Sequence, residues 1–390
     1  MLLVADANLP GFTRLVDELN AQCETALQVE TYTERQPPKA LLARADALFI
    51  RSVTRVDAEL LAQAPQLQWL GTATIGTDHV DVIALHAAGV RFHSCPGVNA
   101  NAVGDYVASA IAALSLAQDA LPTGEVAIIG AGNTGRAAGQ RLTGLGLNVH
   151  YYDPPLAAAG VAEVHADWQR VLQSQVVSCH VPLTVQGEHP TRHLFDAKAL
   201  GEFAGGEQGK LLINASRGPV VAEQALAEVI AGGAQLQAVL DVWEHEPATK
   251  TEVIELLVLA TPHIAGHSFA GKLGGSWQLL KKWLTDQGLA LQLPSFQQFL
   301  QGYPEGQAVV QQAPDEPDWR TLCRWILQVY DIRKDDQLLR RTARQPAAFD
   351  ALRRDYAVRA ELSQLHLQAG AWAQTRRWQK CLTELTFQID

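Results

Sequence analysis

Positive charge is scarce in this chain. Across 390 residues, 31 lysines and arginines face 41 aspartates and glutamates, for a formal net charge of −10. Broad nucleic-acid binding needs a basic face, so that class is set aside, while a small basic pocket for an anionic metabolite remains open. Cysteines are few and scattered. Cys23, Cys95, Cys179, Cys323 and Cys381 form no C-x-x-C and no zinc-like spacing, which suits free thiols in a reducing cytosol. The opening residues lack the basic segment and apolar run of a secretory leader, and no run approaches the eighteen or so apolar residues of a membrane span. The expectation is a cytoplasmic protein with neither membrane nor nucleic-acid partners.

Present instead are short apolar runs that alternate with helix-like text. "LLVAD", "ALFIRS", "LQWLGTAT" and "VRFHS" read as buried strands, with "GFTRLVDELNAQ" and "DAELLAQAP" as helices between them. Such alternation predicts a parallel sheet covered on both faces. "VNANAVGDYVASAIAALSLAQ" (98–118) reads as a long helix with Asn99 or Asn101 as its cap and Gly104 as a local weakness. A second alternating unit runs from "EVAIIGAGNTG" through "VVSCHVPLT", "KLLINASRGPVV" and "LQAVLDVWEHEP" to "LVLATPH". Beyond about residue 291 the text turns rich in Gln, Pro and then Arg, which suggests a third, smaller domain or an assembly arm.

The second unit opens on a nucleotide-binding signature. Gly130, Gly132 and Gly135 stand in G-x-G-x-x-G spacing, with Asn133 and Thr134 between the last two, directly after an apolar strand. The first glycine allows a tight turn, the second lets a pyrophosphate reach the backbone, and the third lets helix and strand approach. The next strand ends in Asp153, twenty-one residues past Gly132. A carboxylate there accepts from ribose hydroxyls and repels a 2′-phosphate, so the expected cofactor is NAD rather than NADP.

Ligands of open α/β sheets gather at the carboxyl ends of the strands. There the loops "SCHVPLT", "NASRGPVV", "DVWEHEP" and "TPHIAGHS" bring Arg217, Asp241, Glu246 and His263 to one rim. Hydride transfer from an alcohol needs a base near working pH, a cation for a carboxylate or developing carbonyl, and a group that tunes the base. Imidazole, guanidinium and carboxylate suit these parts. In the first unit, Arg51 and Ser52 end an apolar strand, and Thr74, Ile75 and Gly76 lie on a glycine-flanked loop whose amides could cradle an anion.

Together, "GAGNTG…YDP…HVPLT…NASRGPVV…LDVWEHEP…TPHIAG" resembles the NAD-dependent, D-isomer-specific 2-hydroxyacid dehydrogenases over roughly residues 1–290. The resemblance implies two doubly wound parallel-sheet domains of α/β class, a flavodoxin-like substrate domain and a Rossmann NAD domain. A small C-terminal α+β dimerisation domain would follow. The expected bounds are 1–97 with 266–289 for the substrate or lid domain, 98–265 for the NAD domain and 290–390 for the third. Carried over residue by residue, Arg217, Glu246 and His263 form the catalytic set. Asp153, Val181, Ser216, Arg217, Asp241 and Gly266 touch NAD, and Ser52, Thr74 and His267 touch substrate.

The segments "IRSVTRV", "EHPTRHLFD" and "VYDIRKDD…FDALRRDY" resemble the tail-bearing members of that family, which act as homodimers on a small phosphorylated hydroxy acid. Such members commonly carry tyrosine where His267 stands and threonine where Val181 stands. A sibling dehydrogenase for another acid, such as 3-phosphoglycerate, is one alternative. A NAD-sensing binding protein on the same scaffold is the other.

Overall fold

Two sets of apolar runs form two separate parallel sheets. The computed structural model describes residues 1–22, 26–206, 208–343, 345, 348–357 and 359–389. Cys23 lies outside them, and the four described cysteines are free. The chain divides into one compact unit of residues 1–99 and 269–307 and another of residues 100–268 and 308–390.

The first unit holds strands β1 (Leu2–Asp6), β2 (Gln28–Tyr32), β3 (Ala47–Ile50), β4 (Trp69–Thr72) and β5 (Arg91–His93) in the order β2-β1-β3-β4-β5. All pairings are parallel, with Leu3 opposite Ala47 and Ala47 opposite Trp69. Strands β1, β3 and β4 are buried along their whole length, which is why they read as continuous apolar runs. The edge strand β2, "QVETY", is partly exposed and too polar for that reading to find. The helix Phe269–Asp286 packs Leu273 and Trp283 into this core beside Phe12, Phe49 and Trp69. Its Asp286 accepts the Trp69 indole N–H at 3.0 Å.

The second unit holds β6 (Glu125–Ile129), β7 (Asn148–Tyr152), β8 (Val164–His165), β9 (Val176–Cys179), β10 (Lys210–Asn214), β11 (Leu236–Leu240) and β12 (Leu259–Ala260). Their order is β12-β11-β10-β9-β6-β7-β8, all parallel. Strand order reverses between β6 and β9, and a reversal of this kind opens a crevice at the carboxyl ends. The long helix begins at Ala100. Neither proposed cap serves, since Asn99 Oδ1 is buried without a partner among the described residues and Asn101 lies within the helix, accepting from Arg141. Gly104 is no weakness: a Cβ there would lie 2.9 Å from the backbone of Ala137, so its absence lets the helices Ala100–Gln118 and Asn133–Gly144 cross closely. The helix Ala100–Gln118 does have the length and, over an 18-residue window, the mean hydropathy (1.3) of a membrane span, yet 72% of that window is buried within the protein.

The tail joins this second unit. Strands β13 (Val309–Gln312), β14 (Leu365–Gln368) and β15 (Gln388–Ile389) form a small parallel sheet, and helices such as Trp319–Val329 and Ile332–Thr342 pack alongside. Buried polar ties hold it to the long helix. Ser109 Oγ donates to the Tyr330 carbonyl at 2.8 Å, and Asp105 accepts from both Arg141 Nε (2.9 Å) and the Leu362 amide (2.8 Å).

Candidate active site

The turn after β6 has the shape of a dinucleotide cradle. Gly130 adopts φ +90, and a Cβ on it would lie 2.6 Å from the His180 carbonyl oxygen. A Cβ on Gly135 would lie 1.8 Å from the Gly130 carbonyl, so only glycine lets the helix Asn133–Gly144 approach its strand. At Gly132, by contrast, an added Cβ meets nothing within 4 Å. The first-turn amides of Asn133, Thr134 and Gly135 have no intrahelical acceptor, and Gly132 offers no side-chain cap. The open space therefore faces unspent donors and the positive end of a helix.

Asp153 closes the far side of the turn. Its Oδ2 accepts the Ala131 amide at 2.9 Å, and its Oδ1 caps the next helix through the Leu156 amide at 3.2 Å. Each oxygen keeps a second lone pair for a ribose hydroxyl. Val181 lies against the turn, its Cγ1 3.0 Å from where a Gly130 Cβ would be. The neighbouring His180 is buried, which lowers its pKa to about 3 and leaves it neutral.

Three further loops of the same sheet edge are fastened to one another. After β10, Asn214 Oδ1 accepts from the amide and hydroxyl of Ser216, and Asn214 Nδ2 donates to the Arg217 carbonyl at 3.0 Å. Arg217 Nη1 donates to the Ser216 carbonyl at 2.9 Å. A Cβ on Gly218 would overlap the Trp243 carbonyl at 1.9 Å, so this loop sits directly on the one after β11. There Glu246 Oε1 accepts the Trp243 amide at 2.9 Å, ahead of a cis Glu246–Pro247 bond. The adjacent Glu244 pairs with His193 at 2.6 Å.

Glu246 Oε2 meets His263 Nδ1 at 2.7 Å, so the acid and base predicted seventeen positions apart do share one site. A carboxylate on Nδ1 fixes the proton there and leaves Nε2 as the acceptor. His263 adopts φ +56, a left-handed conformation that costs energy for a non-glycine residue. Asp241 compensates from below. Its carbonyl accepts the His263 amide at 2.6 Å, and its carboxylate accepts from Thr261 Oγ1, the Ile264 amide and the Ala265 amide at 2.7, 2.7 and 2.9 Å. Asp241, expected to contact the cofactor, is 1% exposed as a residue, and its carboxylate also fastens this loop.

Sequence reasoning missed the clamp from the tail. Arg359 donates to the carbonyls of Ala265 (2.6 Å), His267 (3.0 Å) and Ala102 (3.0 Å), with its guanidinium 3.7 Å from the Tyr330 ring centroid. Glu361 accepts from Ser268 Oγ at 2.6 Å, and burial together with the charge of Asp105 raises its pKa to about 7. Gly266 lies between these clamped residues, and the His267 ring meets Tyr356 edge-on at 5.8 Å. The only available signal for this clamp was the density of arginines, which does not say where each reaches.

The first unit carries a cationic edge of its own. Arg51 Nε donates to Asp6, a buried carboxylate, at 2.9 Å, while Ser52 beside it is exposed. The Thr74 hydroxyl bonds to Thr72 Oγ1 at 2.8 Å and donates to the Gly76 carbonyl at 3.0 Å, which folds Thr74, Ile75 and Gly76 into a fixed, partly exposed loop. Lys272, from the helix Phe269–Asp286, was not foreseen. Burial and then the charge of Arg51 lower its pKa.

Comparison with known proteins agrees with this geometry. Residues 107–265 match the family described as D-isomer specific 2-hydroxyacid dehydrogenase, NAD binding domain, and residues 304–381 match a domain of unknown function. The erythronate-4-phosphate dehydrogenase of Idiomarina loihiensis is 43% identical over 358 residues, covering 91% of this chain and 90% of that protein. The enzyme of the same name from Aeromonas salmonicida is 39% identical over 373 residues, 94% of this chain and 95% of its own. Among solved structures, a D-lactate dehydrogenase from Treponema pallidum aligns with TM-score 0.58 at 23% identity, over 75% of this chain and 99% of that one. The D-lactate dehydrogenase of Aquifex aeolicus, complexed with NAD and lactic acid, aligns with TM-score 0.55 at 20% identity, over 74% and 96%. These two share the fold. The open glycine turn, its free helix amides and Asp153 fit NAD, the cofactor of this family's nucleotide domain. With its fold, its cofactor cradle and relatives matched through the tail, the chain belongs to the erythronate-4-phosphate dehydrogenases, within the D-isomer-specific 2-hydroxyacid dehydrogenase family.

Proposed function

We propose that the protein oxidises 4-phospho-D-erythronate at C2 to (R)-3-hydroxy-2-oxo-4-phosphooxybutanoate, a step of pyridoxal 5′-phosphate (vitamin B6) biosynthesis. The observation that carries this is the 2.7 Å His263–Glu246 pair on a dinucleotide-binding sheet, in a chain whose relatives bear the matching enzyme name. NAD, held by the Gly130–Gly135 turn and Asp153, would supply the hydride acceptor for C2. His263 Nε2 takes the C2 hydroxyl proton, and Glu246 stabilises the imidazolium that results. Arg217 offers a guanidinium to the carboxylate and to the carbonyl that develops at C2. The amides of the Thr74–Gly76 loop suit a carboxylate, and Arg51 with Ser52 suits a phosphate. The unfavourable placement of Lys272 beside Arg51 supports an anion at that edge, since an anion would relieve it. His267 is assigned to the substrate side, and homodimerisation in the cytoplasm to the tail-bearing chain.

A single-turnover experiment tests the reading. Protein loaded with NAD is mixed with 4-phospho-D-erythronate or, separately, 3-phosphoglycerate, and reduced-nicotinamide absorbance is followed. A fast rise with the erythronate compound alone is expected. A rise only with 3-phosphoglycerate would move the protein to a sibling activity, and NAD binding with no rise from either acid would favour a sensing role.

A further inference from the structure

The catalytic carboxylate has a second neighbour, and it comes from the tail. Helix Ile332–Thr342 is pinned beside β12: Arg340 donates to the carbonyls of Ile254 (2.7 Å) and Leu257 (2.9 Å), and Asp336 accepts the Ala260 amide at 2.8 Å. The helix Ala348–Arg354 follows, anchored by Phe349 in the same apolar cluster as Leu339, Ile254 and Leu257. This anchoring carries Arg353 to the acid–base pair, with Nη1 4.0 Å from Glu246 Oε2, the oxygen that also meets His263. Arg353 is 33% exposed, and its Nε is buried with no hydrogen-bond acceptor among the described residues. Its guanidinium lies 5.8 Å from the Phe349 ring centroid. An arginine fixed there by packing, with its nearest carboxylate already engaged by histidine, acts through charge rather than through a bidentate bond.

We propose that Arg353 is a positioning residue of the acid–base pair: its charge holds Glu246 ionised and offsets part of that carboxylate's pull on His263, keeping the imidazole neutral and ready to accept a proton. The physical basis is the sum of two opposing neighbours. A carboxylate against Nδ1 favours imidazolium, while a cation just beyond that carboxylate disfavours it. The other charged or titratable groups on the elements around the pair are Asp241, Glu244 and His245 before Glu246, Lys250 after it, His267 after His263, Arg217 on the adjoining loop, and Asp350, Arg354, Asp355 and Tyr356 beside Arg353 in the tail. Asp241 is turned to backbone donors and Glu244 to His193. The tail thus supplies a cation 4.0 Å from Glu246 Oε2.

The inference rests on reading His263 as the proton acceptor, so its test is read without substrate. The imidazole signal of His263, assigned by its disappearance in His263→Asn, is titrated by NMR in the full chain carrying Arg353→Met or Arg353→Gln, one apolar and one polar neutral replacement. Both are expected to raise the midpoint by roughly half a unit to one unit. Arg353→Lys should restore most of the wild-type value, and Arg354→Met, one position along the same helix, should leave it unchanged. The acid limb of kcat/KM should move up with the midpoint. A midpoint unmoved in both neutral variants overturns the inference. So does a uniform loss of rate at every pH, which would mark a merely structural role, or a change confined to KM, which would make Arg353 a substrate ligand. Absence of turnover with 4-phospho-D-erythronate would instead overturn the substrate assignment and leave the titration standing.

Discussion

In the first unit, the turn after β1 is filled by the protein itself. A Cβ on Gly11 would lie 2.6 Å from both Phe299 Cζ and the Tyr303 hydroxyl, and Asp6 at the strand's end is spent on Arg51 and Asn8. In the second unit, the turn after β6 stands open: a Cβ added at Gly132 would meet nothing within 4 Å, and the helix behind it has no side-chain cap. Two parallel sheets of similar design therefore differ in what completes the turn after a central strand. In one, the chain's own aromatic residues do so, and in the other the space suits an outside ligand. Architecture alone does not make a nucleotide site; the site depends on withholding side chains from a place the fold would otherwise fill.

That contrast can be broken experimentally. The largest effect is expected where the open crevice does chemistry: His263→Asn should lower kcat/KM by about 10²–10⁴ while NAD binding, measured by calorimetry, is retained. Next, Gly132→Val places carbon in the empty cradle at φ −75, which any residue tolerates. The melting temperature should hold while NAD affinity falls about a hundredfold, and unchanged affinity would show that the open turn is not the cofactor's seat. Gly11→Ala is the mirror experiment. It should cost about 2 kcal/mol in urea unfolding through overpacking and a left-handed backbone, with NAD affinity intact.

The smallest effect sharpens the contrast from the tail side. Glu361 has its pKa raised from 4.5 to about 7, so over that window the folded state holds a proton that the unfolded chain has released. Stability contributed by this group accordingly falls as pH rises from 4.5 towards 7. Glu361→Gln removes that decline while keeping an acceptor for Ser268. Relative to wild type, it should gain about 1 kcal/mol in unfolding free energy between about pH 5 and pH 8.

Much of this organisation was legible because it is written in local periods. Buried parallel strands are continuous apolar runs, and the glycine turn, Asp153, Glu246 and His263 each sit at a strand's end, where chain order and sheet topology together dictate the rim. What escaped has no local signature. The short strand β8 is two residues long. Gly104 read as a helix flaw because its reason lies in a crossing with Ala137. Arg141, Arg353 and Arg359 carry no local sign of their partners, yet they meet Asp105, Glu246 and the backbone around His267 across long stretches of sequence. Asp241 was assigned to the cofactor by resemblance, and its carboxylate also holds Thr261, Ile264 and Ala265 by three hydrogen bonds that no local pattern announces. In each case the partner is set by tertiary packing, which a single sequence read for period cannot supply.

The clamp on the histidine loop also sets an order of events during synthesis. The sheet that carries His263 is complete once residue 260 has been made, but Arg359 and Glu361, which grip Ala265, His267 and Ser268, emerge about a hundred residues later. At the ribosome's pace of roughly 5–20 residues per second, that is an interval of several seconds. During it the nascent chain has its cofactor cradle without a secured acid–base loop. A chain halted in that interval keeps the Gly130–Gly135 turn but lacks the polar ties to Ala265, His267 and Ser268.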